Sequence, residues 1–173
     1  MEENIVSAKI HVTITYEALF DFFLYHAYSK FSGFFQNILA LAVFFLGVFS
    51  YVAGKINAWG CAMTVLASFI FLGYTPLILR QKAKSAIQEP EYKTPMDITF
   101  TDGYGILVEQ GDNKRLYSWE KVLRASVTPK TIAIYVEPEK AVIIPKWDFG
   151  EKFVLCYQII ARGIGMSRST SDK

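Results

Sequence analysis

The sequence has few of the residues on which catalysis and metal binding most often depend. It contains two histidines and two cysteines. It has no Cys-x-x-Cys, His-Glu-x-x-His, phosphate-binding glycine loop or Gly-x-Ser-x-Gly motif. Cys61 and Cys156 are too few and too far apart for a disulfide framework, which favours a reducing, cytoplasmic setting. We therefore expect no enzymatic activity, no metal and no cofactor.

A strong charge of one sign is also lacking. The net charge is +2 and the pI is near 8.4, which gives no field of the kind that attracts nucleic acid, so no nucleic-acid partner is expected. Glu2 and Glu3 stand where a signal peptide would carry basic residues. We expect no cleaved targeting segment.

Two long uncharged stretches are the main feature of the sequence. Hydrophobic residues make up 52% of the chain and the mean hydropathy is +0.25, which is high for a water-soluble domain. No charge lies between Lys30 and Lys55, or between Lys55 and Arg80. Each stretch of about 24 residues would form a helix of roughly 36 Å, enough to cross a hydrocarbon core of about 30 Å. The pattern predicts a transmembrane helical hairpin in residues 31–81.

Small residues recur along both stretches and would let the two helices approach closely, where lipid supplies no hydrophobic driving force. These small residues are consistent with packing within the hairpin or with a dimer interface, and we favour packing within the hairpin. A soluble protein with two core helices is the alternative, but a domain of this length cannot bury both helices on every face. The small residues are Ala40, Gly47 and Gly54 at seven-residue spacing, and Gly60, Thr64 and Ser68 at four-residue spacing.

The basic residues near the ends of the spans predict the orientation. Arg80, Lys82 and Lys84 follow the second span, Lys30 precedes the first, and the connecting turn holds only Lys55. Because basic residues are retained on the cytoplasmic side, we expect a multi-pass protein of the plasma membrane with both termini cytoplasmic. The same cluster is a candidate site for anionic lipid headgroups, although the orientation rule alone accounts for it.

The N-terminal region, residues 1–30, is predicted to hold a strand and a helix. Residues Lys9–Tyr16 alternate between apolar and polar side chains, so this segment is read as a half-buried strand that pairs with the C-terminal sheet. On its polar face, His11 is expected to be a solvated or cross-strand partner. Thr15 can cap a helix over Glu17–Tyr28. That helix lies either in the membrane interface or on the sheet, and the sequence leaves both open.

Residues 82–166 read as a separate cytoplasmic domain of short strands parted by turns. With the N-terminal strand, about seven strands would close into a pleckstrin-homology (PH)-like antiparallel β-barrel, capped by a helix from Asp148 to about Arg162. Residues 167–173 are expected to form a disordered tail. The fold class is thus an α+β membrane protein. Its predicted strands are Met96–Thr101, Gly105–Gln110, Lys114–Trp119, Val122–Thr128, Thr131–Glu137 and Ala141–Pro145.

Two short motifs resemble a known family. Trp119-Glu120-Lys121-Val122 follows a hairpin, and Ile144-Pro145-Lys146 comes later with Phe149 behind it. Their order and spacing resemble the YcxB-like family of bacterial membrane proteins, over nearly the whole chain. The resemblance implies a PH-like C-terminal domain and little about function. The family pattern often has a basic residue where this chain has Trp147, which argues against an anion pocket built on adjacent cations.

We interpret the four motif residues Trp119, Ile144, Pro145 and Phe149 as structural. The first functional hypothesis is a membrane-anchored, non-enzymatic PH-like module whose free sheet edge or groove engages a cytoplasmic or membrane protein. The alternative is sensing of anionic lipid headgroups at the inner leaflet. An immunity-like or regulatory membrane protein is a further option. The candidate contact residues for lipid or partner are Arg80, Lys82, Lys84 and Lys146.

Overall fold

The computed structural model describes residues 6–29, 31–138 and 140–171, leaving out the side chains of residues 31–33 and 166–171. Lys30, one of the basic residues used to predict the orientation, lies outside this range. The chain divides into two compact units. We call Met1–Phe22 with Ser85–Lys173 the sheet unit, and Phe23–Lys84 the helix-pair unit.

The first sheet of the sheet unit has four antiparallel strands in the order β1-β2-β3-β4. Ile10, Ile98 and Val108 lie side by side in register, and the first two are buried. The opposite face carries polar residues, as the alternation predicts. The strands are β1 (Ser7–Val12), β2 (Met96–Thr101), β3 (Gly105–Gln110) and β4 (Asn113–Ser118).

The second sheet has three antiparallel strands in the order β5-β6-β7. They are β5 (Arg124–Val127), β6 (Thr131–Tyr135) and β7 (Ala141–Pro145). Every residue of β6 is buried, which means that this central strand is covered on both faces. Its continuous apolar run is typical of such a strand.

The predicted closed barrel is wrong, because no pairing links the two sheets among the described strands. After β4 the chain enters a 3-10 turn, Trp119–Lys121, with the Ser118 hydroxyl accepting a hydrogen bond from the amide of Glu120. The buried indole of Trp119 donates from Nε1 to the carbonyl of Thr101 at 2.9 Å. This turn carries the chain out of the first sheet, and β5 then begins a new one.

Helix α1 (Tyr16–Ser29) begins in the sheet unit and packs on the second sheet as far as Phe22. The Thr15 hydroxyl accepts from the amide of Ala18 at 3.3 Å, so the predicted cap is present. Leu19 is fully buried, and the Phe22 ring centroid lies 6.2 Å from that of Tyr135. Of the two positions left open by the sequence, this half of the helix therefore takes the one on the sheet. The single turn α4 (Pro90–Lys93) precedes β2.

The C-terminal helix begins later than predicted. A 3-10 segment, Lys146–Lys152, precedes α5 (Phe153–Ser171), and Gly150 breaks the segment with φ of 51°. Asp148 does not cap a helix: its Oδ2 accepts from the amide of Thr13 at 2.9 Å. The residues predicted as a disordered tail, 167–173, continue α5 to Ser171, and 172–173 lie outside the described range. The buried stripe of α5 is Cys156, Ile159, Ile160 and Gly163.

The helix-pair unit is built from α2 (Phe31–Val52) and α3 (Ala58–Ala86). Gly54 has φ of 69° in the turn between them, and Asn57 Oδ1 accepts from the amide of Gly60 at 2.8 Å. Both helices are long and apolar enough to cross a membrane by length and composition. The chain is thus a mixed α+β protein with two antiparallel sheets and two long apolar helices.

Candidate functional site

The basic run predicted from the sequence lies on the last turns of α3. Arg80, Lys82 and Lys84 are all exposed. Nζ of Lys82 lies 4.9 Å above the ring centroid of Phe23, a cation–π contact within the helix-pair unit. Cations in this position also face the negative end of the helix dipole. The run therefore presents positive charge to its surroundings.

Lys146 belongs to the sheet unit, so it is described separately from the three cations of α3. It follows β7 directly and is half-buried. Its backbone amide donates to the carbonyl of Lys130 at 2.9 Å, which brings the end of β7 beside the β5–β6 turn. Lys130 is exposed. A second lysine, which the sequence motifs do not single out, is therefore bonded to Lys146 through the backbone.

Asp21 of α1 holds this same turn. Its Oδ2 accepts from the Thr128 hydroxyl and from the amide of Lys130 at 3.1 Å, and lies 3.5 Å from the Thr131 hydroxyl. A carboxylate that accepts several hydrogen bonds is a strong local clamp. The sequence signal for it is an acid within the apolar run of α1. Asp21 fixes α1 to the second sheet.

The polar face of the first sheet carries a cross-strand charge network. His11 Nδ1 lies 2.8 Å from Asp97 Oδ1, and Lys9 Nζ lies 2.9 Å from Asp97 Oδ2. Glu109 pairs with Lys114 at 2.6 Å and with Lys9 at 3.5 Å. Hydrogen bonds from His11 and then Lys9 hold the pKa of Asp97 below its usual range, and Lys114 chiefly lowers the pKa of Glu109.

Part of this network lines a shallow, open depression together with Pro95 and Gly111, namely His11, Asp97, Glu109 and Lys114. The contact between His11 and Asp97 has the geometry of a base with its orienting acid, but no cysteine or serine shares the depression to act as the nucleophile. Its charges are mutually paired and open to water. The arrangement fits cross-strand stabilisation of the sheet rather than chemistry.

The four family-motif residues are all buried in the sheet unit. The ring of Phe149 stacks on Phe100 at 6.3 Å between centroids, and Ile144 lies in the register row of Ile132. Trp119 packs against Gly163 of α5. Trp119, Ile144, Pro145 and Phe149 therefore lie in the core and present no surface to a ligand.

The cysteines and acids do not form a reactive or metal-binding centre in the part of the chain that is described. No group of three potential metal ligands occurs there. Burial raises the pKa of the Cys156 thiol, which keeps it protonated and unreactive.

Comparison with known proteins agrees with the two short motifs. Residues 102–153 match the family model described as YcxB-like protein. This segment includes Trp119, Ile144, Pro145, Lys146 and Phe149. No curated protein matches the chain. The resemblance to the YcxB-like family expected from the sequence is confirmed by this match, which covers residues 102–153.

Proposed function

We propose that the protein is anchored in the plasma membrane by α2 and α3 and holds the sheet unit against the cytoplasmic face as a non-enzymatic interaction module. The observation that carries the proposal is the outward display of large apolar side chains along both helices. Leu46 is 64% exposed and Phe49 is 69% exposed, and α3 shows Phe69 at 62%. Removing each such side chain from water is favourable by about 1.5–3 kcal/mol of transfer free energy, and a bilayer supplies the apolar environment.

The two ends of the helix pair differ in a way that fits a bilayer. The α2–α3 turn holds one cation, Lys55, and the exposed aromatic Trp59 follows it in the first turn of α3, as is common near a membrane–water interface. The other end of α3 carries the exposed Arg80, Lys82 and Lys84. Under the positive-inside rule, this asymmetry supports a cytoplasmic position for both termini and the sheet unit.

The sheet unit is proposed to be PH-like. The support is its architecture. Antiparallel sheets of four and three strands are followed by a C-terminal helix whose buried stripe packs on the unit. Such a scaffold supports binding at its edges and loops. The exposed edge strand β4, with Leu116 at 70% exposure, is one surface on which a protein partner would add.

Membrane extraction of the wild-type chain and of one double variant tests the anchor. We expect the full chain to stay in the membrane pellet after alkaline carbonate washing. Leu46→Lys with Phe49→Lys places two charges at exposed positions, which a water-soluble helix would tolerate. In a bilayer each costs about 2.5–3.5 kcal/mol, so insertion should fail. Release of the wild-type chain into the supernatant, or identical behaviour of the double variant, would contradict the anchor.

Sensing of anionic lipid headgroups is the second candidate function. The specific observation in its favour is that Arg80, Lys82 and Lys84 are all exposed within five residues near the end of one helix. Polybasic residues next to a span attract acidic lipids at about 1 kcal/mol each. Replacing all three with glutamine should abolish enrichment of phosphatidylglycerol around the protein in mixed bilayers. Unchanged enrichment would remove this candidate.

A further inference from the structure

One corner of the second sheet combines positive charge with exposed apolar side chains. The amide of Lys146 donates to the carbonyl of Lys130 at 2.9 Å, and Thr131 pairs with Pro145 in the adjacent register row. The two lysines are thus held side by side by the backbone. Trp147 follows directly, and Val127 ends β5 on the other side of the turn. We call Val127, Lys130, Lys146 and Trp147 the basic corner.

The basic corner carries the positive charges of two lysines. Neither Lys130 nor Lys146 forms an ion pair with any carboxylate in the described residues. Asp148, two residues after Lys146, accepts from the amide of Thr13, and Asp21 accepts from the backbone amide of Lys130. The side chains of two lysines whose backbones are adjacent are therefore available to an anionic partner.

The same corner exposes apolar surface. Trp147 is 49% exposed and Val127 is 50% exposed. An indole with one apolar body and one polar N–H is suited to headgroup depth, and a lysine stem can bury its methylenes while its ammonium reaches phosphate. A surface that combines cations with an exposed tryptophan fits an anionic bilayer, which offers both charge and apolar depth. It fits a purely polar ligand less well.

Helix α1 connects the basic corner to the first apolar helix. Asp21 binds the β5–β6 turn and stands only 13 residues before Phe34, where the first apolar window begins. On the basis of the anchoring proposed above, we propose that the basic corner docks on acidic phospholipid headgroups of the same bilayer. The contact would make the sheet unit's hold on the membrane depend on lipid charge. An acidic protein segment is the competing occupant, and the experiment below distinguishes it.

Tryptophan quenching in nanodiscs tests the docking on the full chain. The protein carrying Trp59→Phe retains Trp119, which is buried, and Trp147. Discs contain brominated phosphatidylcholine with or without phosphatidylglycerol. We expect quenching of Trp147 only in anionic discs, lost at high salt. Lys130→Gln and Lys146→Gln should each lower the docking equilibrium constant roughly fivefold, which corresponds to about 1 kcal/mol. Lys121→Gln and Lys140→Gln each remove one positive charge outside the corner and should leave the quenching unchanged.

Each other outcome has a definite meaning. Equal quenching in neutral and anionic discs, no quenching in either, or no effect of the two corner substitutions overturns the docking. If polyglutamate shields Trp147 from acrylamide in anionic discs while the bromolipid does not quench it, the corner binds acidic protein instead. A Trp147→Phe variant reports the anchor separately through Trp59. If Trp59 is quenched and Trp147 is not, only the docking is contradicted. If Trp59 is not quenched, both the anchor and the docking are contradicted.

Discussion

The indole of Trp119 lies directly against the backbone of Gly163 in helix α5. A Cβ placed on Gly163 would stand 2.1 Å from Cδ2 of the ring. The ring is 3% exposed, and its Nε1 donates to the carbonyl of Thr101 at 2.9 Å. Trp119 thus ties the C-terminal helix to the β2–β3 turn, and only glycine allows the approach.

Gly163→Ala is therefore expected to destabilise the sheet unit. The added methyl must displace α5 or the indole, and overpacking of this kind costs about 1–3 kcal/mol. Thermal unfolding followed by tryptophan emission would measure the effect. Gly165→Ala is the matched control, because a Cβ there meets nothing within 4 Å and alanine favours the helix. Equal melting temperatures for the two variants would contradict the packing described.

Asp21→Ala should free α1 from the second sheet. The substitution leaves the hydroxyl of Thr128 and the amide of Lys130 without their shared acceptor, at a cost of about 1–3 kcal/mol. Hydrogen exchange would show it as faster exchange of the Lys130 amide. Glu17→Ala, an exposed acid in the first turn of the same helix, is the control. Unchanged protection of the turn in Asp21→Ala would refute the clamp.

Asp97 should make the first sheet sensitive to acid. Hydrogen bonds from His11 and Lys9 hold its pKa below the ordinary 3.8. A lowered acid pKa stabilises the fold above the unfolded value, and that contribution disappears as the pH falls through the folded pKa. Asp97→Asn should thus lower the urea midpoint at neutral pH and have a smaller effect in strong acid. Asp112→Asn in the exposed β3–β4 turn should shift neither, and a pH-independent effect of Asp97→Asn would contradict the pairing.

Gly47 marks a close approach of the two apolar helices. A Cβ on it would lie 2.1 Å from Oγ1 of Thr64, whereas one on Gly73 would meet nothing within 4 Å. Gly47→Leu should separate α2 from α3 and lower the thermal stability of the helix pair in detergent. Gly73→Leu should have little effect. Similar stabilities for both variants would mean that the helices do not pack through Gly47.

Local patterns in the sequence predicted individual strands well. The bounds of β2, β3 and β7 agree with the alternation and the turn residues around them. The strand predicted over Lys9–Tyr16 is found at Ser7–Val12, because Thr13 bonds to Asp148 and Thr15 caps α1. These differences arise where residues distant in sequence compete with the local pattern.

Barrel closure and the corner site depend on such distant contacts. Alternation indicates which side chains share a face of a strand but not which strands pair. The predicted barrel therefore placed β4 and β5 in one sheet, whereas the chain turns at Trp119 and β5 begins a second sheet. Asp21 and Thr128 are 107 residues apart, and Lys130 meets Lys146 only through the register of β6 and β7. A side-chain pattern within one segment carries no information on these pairings.

Accessibility of single cysteines in intact cells tests the membrane arrangement most directly. In a Cys61→Ala, Cys156→Ala background, Lys55→Cys lies in the α2–α3 turn and Asp112→Cys in the exposed β3–β4 turn. The two-span arrangement predicts that a membrane-impermeant maleimide labels Lys55→Cys in intact cells, and labels Asp112→Cys only after permeabilisation. Labelling of Asp112→Cys in intact cells, or protection of Lys55→Cys until cells are opened, would contradict it.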